Sequence, residues 1–282
     1  MTRLRFVFLA AWAILLWPRC ALCDDAAQAL HTGWISYQRG DVDQAIRIYQ
    51  KMADASPRDA SVHSDLGSLY ALKGDFAKAY AELAAALQLD PLLGAAYDTL
   101  GQIYERQEQP DVARRYYQAA AELEPDEPRL LWHLARIQIR FDDPLAAQRT
   151  LSQLLLLRPD NTEVLYQRGI LELQAGQSEK ALQDFQAVVD RMPNHLMALN
   201  GLGLAYLRLG KIPEAADALG KAKTFQPDHP ATQTNLGLLA ARLQHWDEAR
   251  AAWEQALQVS PGFLPASRNL ERFRAMRGVG KR

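Results

Sequence analysis

The stretch "AALQLDP", residues 85 to 91, decides the fold: a run of helix formers meets Asp90 and then Pro91. Taken alone it is a helix stop, because proline lacks the N–H that an interior turn needs. But it recurs as "AAELEPD" (120 to 126), "LLLRPD" (155 to 160) and "FQPD" (225 to 228). Prolines stand at 57, 91, 125, 159, 193, 227 and 261, each 34 residues after the last. A fixed period of this size is an internal repeat.

With Pro57 at position 32 of a 34-residue unit, the units start at 26, 60, 94, 128, 162, 196 and 230. Position 8 is then Gly33, Gly67, Gly101, Ala135, Gly169, Gly203 and Gly237. Position 20 is alanine in every unit: Ala45, Ala79, Ala113, Ala147, Ala181, Ala215 and Ala249. Position 27 is Met52, Ala86, Ala120, Leu154, Val188, Ala222 and Ala256. Position 24 is large (Tyr49, Leu83, Tyr117, Leu151, Phe185, Leu219, Trp253), and position 7 is mostly leucine. Positions 4, 7, 8 and 11 share one face of a first helix, and 20, 24 and 27 one face of a second. Small residues at 8 and 20 let the two backbones approach. Gly40, Gly74, Gly176 and Gly210 supply a permissive turn near position 15. Glu108, Asp142 and Gln244 stand there instead, which predicts looser turns. Asp41, Asp75, Asp142 and Asp143 are placed to cap second helices. Leu89, at position 30, is expected to pack inward.

This pattern resembles the tetratricopeptide repeat over residues 26 to 263. The resemblance implies an all-α fold, a right-handed superhelical solenoid of helix pairs. Leu264 to Met276 reads as a C-terminal capping helix, with Leu270 and Phe273 inward and Arg268, Glu271, Arg272 and Arg274 outward. The expected organisation is a leader over 1–23, repeats over 24–263, and a cap with a frayed tail over 264–282.

The leader is read from Arg3 and Arg5 ahead of the apolar run Phe6 to Trp17, then "PRCALC". That order resembles a secretory signal peptide cleaved before Asp24, and the run is short for a bilayer span. The alternative is a retained anchor. Cleavage removes Cys20 and Cys23 and leaves a net charge near -4, from -1 for the full chain. An exported, periplasmic location follows, with membrane contact only through an uncleaved leader. A pI near 6.6 argues against nucleic acid as partner.

The sequence gives no glycine-rich nucleotide loop, no G-x-S-x-G and no H-E-x-x-H, so neither an enzyme nor a cofactor is expected. His195 and His229 share position 34 of neighbouring units and are read as loop histidines. Function is sought instead on the first helices, which in the family line a concave groove. Arg129, Trp132, Arg136 and Arg140 share a helix face, with Tyr166 one unit on. Trp, Tyr and Arg are frequent interface anchors, and arginine grips carboxylates. Arg106, Arg140, Arg208 and Arg242 form a row at position 13, interrupted by Gln174. A protein or peptide partner follows, acidic or with a free carboxylate. The expected role is a non-catalytic adaptor, with envelope assembly as its setting by family analogy. The alternative is a structural subunit acting through its outer face or first repeat, where Trp34 and Tyr37 could support a homodimer.

Overall fold

The computed structural model describes residues 21–279. The stretch 1–20, with most of the leader, lies outside the described residues, as do the last three. Among the described residues there are fifteen helices and no strand. They are α1 (Ala21–Gln38), α2 (Val42–Ala55), α3 (Ala60–Lys73), α4 (Phe76–Leu89), α5 (Gly94–Arg106), α6 (Pro110–Leu123), α7 (Pro128–Arg140) and α8 (Pro144–Leu157). Then follow α9 (Thr162–Gln174), α10 (Ser178–Arg191), α11 (Leu196–Arg208), α12 (Ile212–Phe225), α13 (Pro230–Arg242), α14 (Trp246–Val259) and α15 (Leu264–Val279). Odd- and even-numbered helices alternate as the first and second members of pairs, and α15 follows the last pair. The chain divides after His133 into two compact units.

Each pair closes on the small columns. All seven alanines of position 20 are fully buried. The position-8 glycine lies under the large position-24 side chain of its own unit: Gly67 under Leu83, Gly101 under Tyr117, Gly169 under Phe185. A Cβ added at Gly101 would stand 2.7 Å from the Tyr117 ring, inside van der Waals contact. The glycine column therefore records how closely each large ring is laid against the first helix. Second helices then pack against the next first helix, as α4 does on α5 and α10 on α11. The apolar core runs from pair to pair within each unit.

The turns correct one expectation. Glu108, Asp142 and Gln244 take left-handed φ values of 58°, 53° and 63°, in the same region as the four turn glycines. Their hydrogen bonds match as well. Glu108 N donates to Glu105 O at 3.2 Å and Gln109 N to Tyr104 O at 2.9 Å; Gly176 N donates to Leu173 O at 3.1 Å and Gln177 N to Glu172 O at 2.8 Å. These turns are no looser than the glycine turns. They hold the same geometry at a steric cost that glycine avoids.

Asp41, Asp75 and Asp143 cap second helices, accepting from Gln44 N, Lys78 N and Ala146 N. Asp142 is the turn residue before a cap and is not itself the cap. Leu89 is 41% exposed, and Phe225 and Val259 in the same column are exposed too. Position 30 is the last turn of the second helix and has already left the seam that position 27 fills. Trp253 is buried, while Trp246 is half-buried and stacks on Phe273 at 6.1 Å. On α15, Ala266, Leu270 and Phe273 are buried, and Arg268, Glu271, Arg272 and Arg274 face out.

Candidate protein-binding face on the first helices

In the unit that ends at His133, the first helices α3, α5 and α7 meet through polar side chains. Asp98 on α5 has no solvent exposure. A buried carboxylate costs several kcal/mol unless donors surround it. Asp98 has three. Arg129 Nη1 donates to Oδ2, Gln102 Nε2 donates to Oδ2 at 2.9 Å, and His133 Nδ1 lies 2.6 Å from Oδ1. A carboxylate only accepts, so the His133 proton on this side sits on Nδ1. The ring of His133 also lies 5.5 Å from that of Tyr117.

On α3, Asp65 lies close enough to Arg129 to feel its charge. Burial pushes the Asp65 carboxyl up to about 7, only partly opposed by Arg129. Ser68 Oγ and Thr99 Oγ1 meet at 2.7 Å across α3 and α5. Arg129 is fixed from beneath by Asp98, yet 34% of its side chain remains exposed. Trp132, three residues on along the same helix, is half-buried.

The unit beginning at Leu134 repeats the scheme with uncharged groups. Asn200, at the same repeat position as Asp98, is buried and donates to Thr232 Oγ1 at 2.9 Å. Asn235 Nδ2 donates to Asn200 O and Oδ1, each at 3.3 Å. Tyr166 is half-buried, with its ring 6.0 Å from Phe185 and 5.3 Å from His195. That burial raises its phenol pKa.

Two arginines of the position-13 row share one occupation. Arg106 Nη1 donates to Ala71 O at 2.6 Å, and Arg208 Nη1 donates to Leu173 O. Both acceptors are position-12 carbonyls of the preceding unit, at a helix C-terminus whose last carbonyls have no partner within the helix. These two arginines tie consecutive first helices together, which takes their donors away from any ligand. Arg242 is exposed at the end of α13. Arg136 and Arg140 are exposed on α7, and each already interacts with another group.

At the first repeat, Trp34 is half-buried near His31, ring centroids 6.5 Å apart, and its buried Nε1 has no hydrogen-bond partner. Tyr37 packs against the core of its unit. His195 Nδ1 accepts from Ala198 N at 3.0 Å and caps α11, and His229 holds the corresponding position before α13. Burial pushes the His229 imidazole pKa down. Among the described residues no group of three His, Cys, Asp or Glu is placed to hold a metal ion.

One cluster was not singled out from the sequence. Arg168 stands at position 7, the leucine column, and binds Asp184 through Nε and Nη2, both at 2.7 Å. Its Nη1 reaches Ser152 Oγ at 3.2 Å. Glu172 lies 3.8 Å from Arg168 Nε, is buried, and has an unpartnered Oε2. Desolvation, with the charge of Asp184 adding to it, pushes the Glu172 carboxyl up to about 7. The signal available in the sequence was a charged residue in an apolar column. Likewise, His133 could be found only by asking which residues the repeat brings beside Asp98.

Family models described as tetratricopeptide repeat match residues 36–103, 105–167, 166–230 and 230–263. No functionally curated protein matches the chain significantly. Among solved structures, the chain is similar to YrrB, described as a tetratricopeptide-repeat protein with an unusual peptide-binding site. Identity is 25%, coverage 65% of this chain and 95% of that one, and the TM-score 0.59. It is similar in fold to MamA from Desulfovibrio magneticus RS-1 (24% identity, 60% and 96% coverage, TM-score 0.55). The fold is shared too with PilF of Pseudomonas aeruginosa (18% identity, 76% and 97% coverage, TM-score 0.56). The repeat columns, the helix pairs closed on them and these matches along almost the whole solenoid show that the chain belongs to the tetratricopeptide-repeat family, whose fold serves as a protein–protein interaction scaffold.

Proposed function

We propose that the chain is an exported, non-catalytic adaptor that holds an extended protein segment along its first helices, centred on Arg129 and Trp132. The observation that carries this reading is Arg129 itself. Its guanidinium is held by a fully buried carboxylate, yet one third of the side chain stays exposed beside a half-buried tryptophan. A pre-positioned arginine loses little conformational freedom on binding, and its free N–H groups suit a carboxylate. The partner is therefore an acidic segment or a free C-terminus. YrrB, with its peptide-binding site, supports this reading as a relative in fold. Export rests on the leader, and an envelope setting rests on analogy with the family.

Trp132→Ala removes the anchor without touching the Asp98 network. Pull-downs from the exported fraction with wild type and Trp132→Ala, both checked by thermal melts, test the site. Loss of one or more partners from a folded variant supports it. Equal recovery of every partner sinks it.

A second reading, self-association through the first repeat, has a specific observation behind it: the buried, unpartnered Nε1 of Trp34 beside the exposed Leu30. Light scattering decides it. A dimer that Trp34→Ala converts to monomer favours this reading, and a monomeric wild type excludes it.

A further inference from the structure

Charge is segregated along the chain. Residues 264 to 282 hold six basic residues and one acidic, a net of +5. Residues 24 to 263 hold 23 basic and 32 acidic, a net of -9. The segregation coincides with a structural element. α15 packs inward through Ala266, Leu270 and Phe273, onto the cluster that contains Trp253. Its opposite side carries Leu264, Arg268, Arg272 and Met276, spaced four residues apart and so in one row along the helix. Leu264 and Met276 are each 62% exposed, and Arg268 and Arg272 are exposed between them. Arg274 is exposed alongside. None of these arginines forms an ion pair among the described residues, although Glu271 is on the same helix.

A capping helix needs a polar outer face, and mixed charges would serve that purpose. This face differs in two ways: its charge is almost all of one sign, and it keeps two large apolar side chains exposed at the ends of the arginine row. A cluster of basic residues on one exposed helix face is attracted to the negative surface of an anionic bilayer, and exposed apolar side chains beside it add contact with that surface. Each Lys or Arg near such a bilayer contributes about 1 kcal/mol.

From this we infer that the outer face of α15 docks on an anionic phospholipid surface. The sequence reading allowed membrane contact only through an uncleaved leader. The C-terminal row is a second, independent contact, and it does not rest on the adaptor site at Arg129. Acidic protein, including the acidic body of a second copy, is the competing occupant, and the test separates the two.

The probe is vesicle co-sedimentation of the full chain at ~0.1 M salt, where exposed charges act over about 10 Å. Vesicles of phosphatidylcholine alone are compared with vesicles enriched in phosphatidylglycerol. Contact through an apolar leader would bind both alike. The expected result is at least ~10-fold stronger partitioning onto the anionic vesicles, lost at high salt. Arg268→Glu with Arg272→Glu removes that preference, and Arg268→Lys with Arg272→Lys keeps it. Thermal melts establish that both variants fold. Equal partitioning onto the two vesicle types overturns the proposal, as does an anionic preference that the charge reversal leaves intact. So does loss of the preference in the lysine variant, which would mark a bidentate protein contact. Salt-sensitive, reversal-sensitive oligomers without vesicles, with no anionic preference, would assign the row to a second copy.

Discussion

At the scale of single residues, buried charge is what separates this chain from a plain stack of helices. Arg168 replaces the column leucine and neutralises Asp184 inside the unit that begins at Leu134. Arg168→Leu restores the apolar column yet leaves Asp184 buried without its paired cation. It should cost about 3–5 kcal/mol in denaturant melts, and a further Asp184→Leu should recover much of that loss. If the single variant is as stable as wild type, the ion pair does not hold this region. Glu172 adds a pH dependence. Its carboxyl is raised from 4.5 to about 7, so the folded chain keeps a proton that the unfolded chain has already released. Stability therefore falls as pH rises from about 4.5 to 7. Asp65, raised from 3.8 to about 7, contributes in the same direction. Glu172→Gln should flatten the slope of melting temperature against pH across that window. An unchanged slope would place the titration elsewhere.

At the scale of elements, the turns show where local chemistry yields to the period. Position 15 must take a left-handed φ so that the two helices of a pair can face each other. Gly40, Gly74, Gly176 and Gly210 do so freely; Glu108, Asp142 and Gln244 do so against Cβ–carbonyl crowding. Gln244→Gly should raise stability by about 1 kcal/mol, seen as a higher melting midpoint. No gain, or a loss, would mean that side-chain contacts at Gln244 offset the strain. Two arginines of the position-13 row also belong to this scale. Their positions are regular in the sequence, but their work, closing the carbonyl ends of preceding first helices, appears only when α3 lies beside α5 and α9 beside α11.

At the scale of the whole molecule, stability in such a stack is carried by contacts between neighbouring pairs. α15 closes the last pair by covering Trp253 and meeting Trp246 through Phe273. Phe273→Ala removes a buried ring and should cost about 3–5 kcal/mol locally. Amide hydrogen exchange is the measurement that suits a stack: exchange should rise in α13, α14 and α15 and stay unchanged in α3 and α4. A uniform rise along the chain would show instead that the repeats unfold as one.

The sequence by itself determined the helices, their pairing and the core. A 34-residue period places the same small and large side chains at the same seam in every unit, and a period is readable without coordinates. It also named Arg129 and Trp132 as residues of one family surface. Only the tertiary structure decided what each does there. Asp98 is buried, Arg129 is locked to it, and Arg106 and Arg208 are drawn to backbone carbonyls, because partners 31 to 35 residues apart meet only once first helices lie side by side. The break at "AALQLDP" fixes where one pair ends. Which charges between the breaks remain available to a partner depends on how many donors the neighbouring helix has already taken.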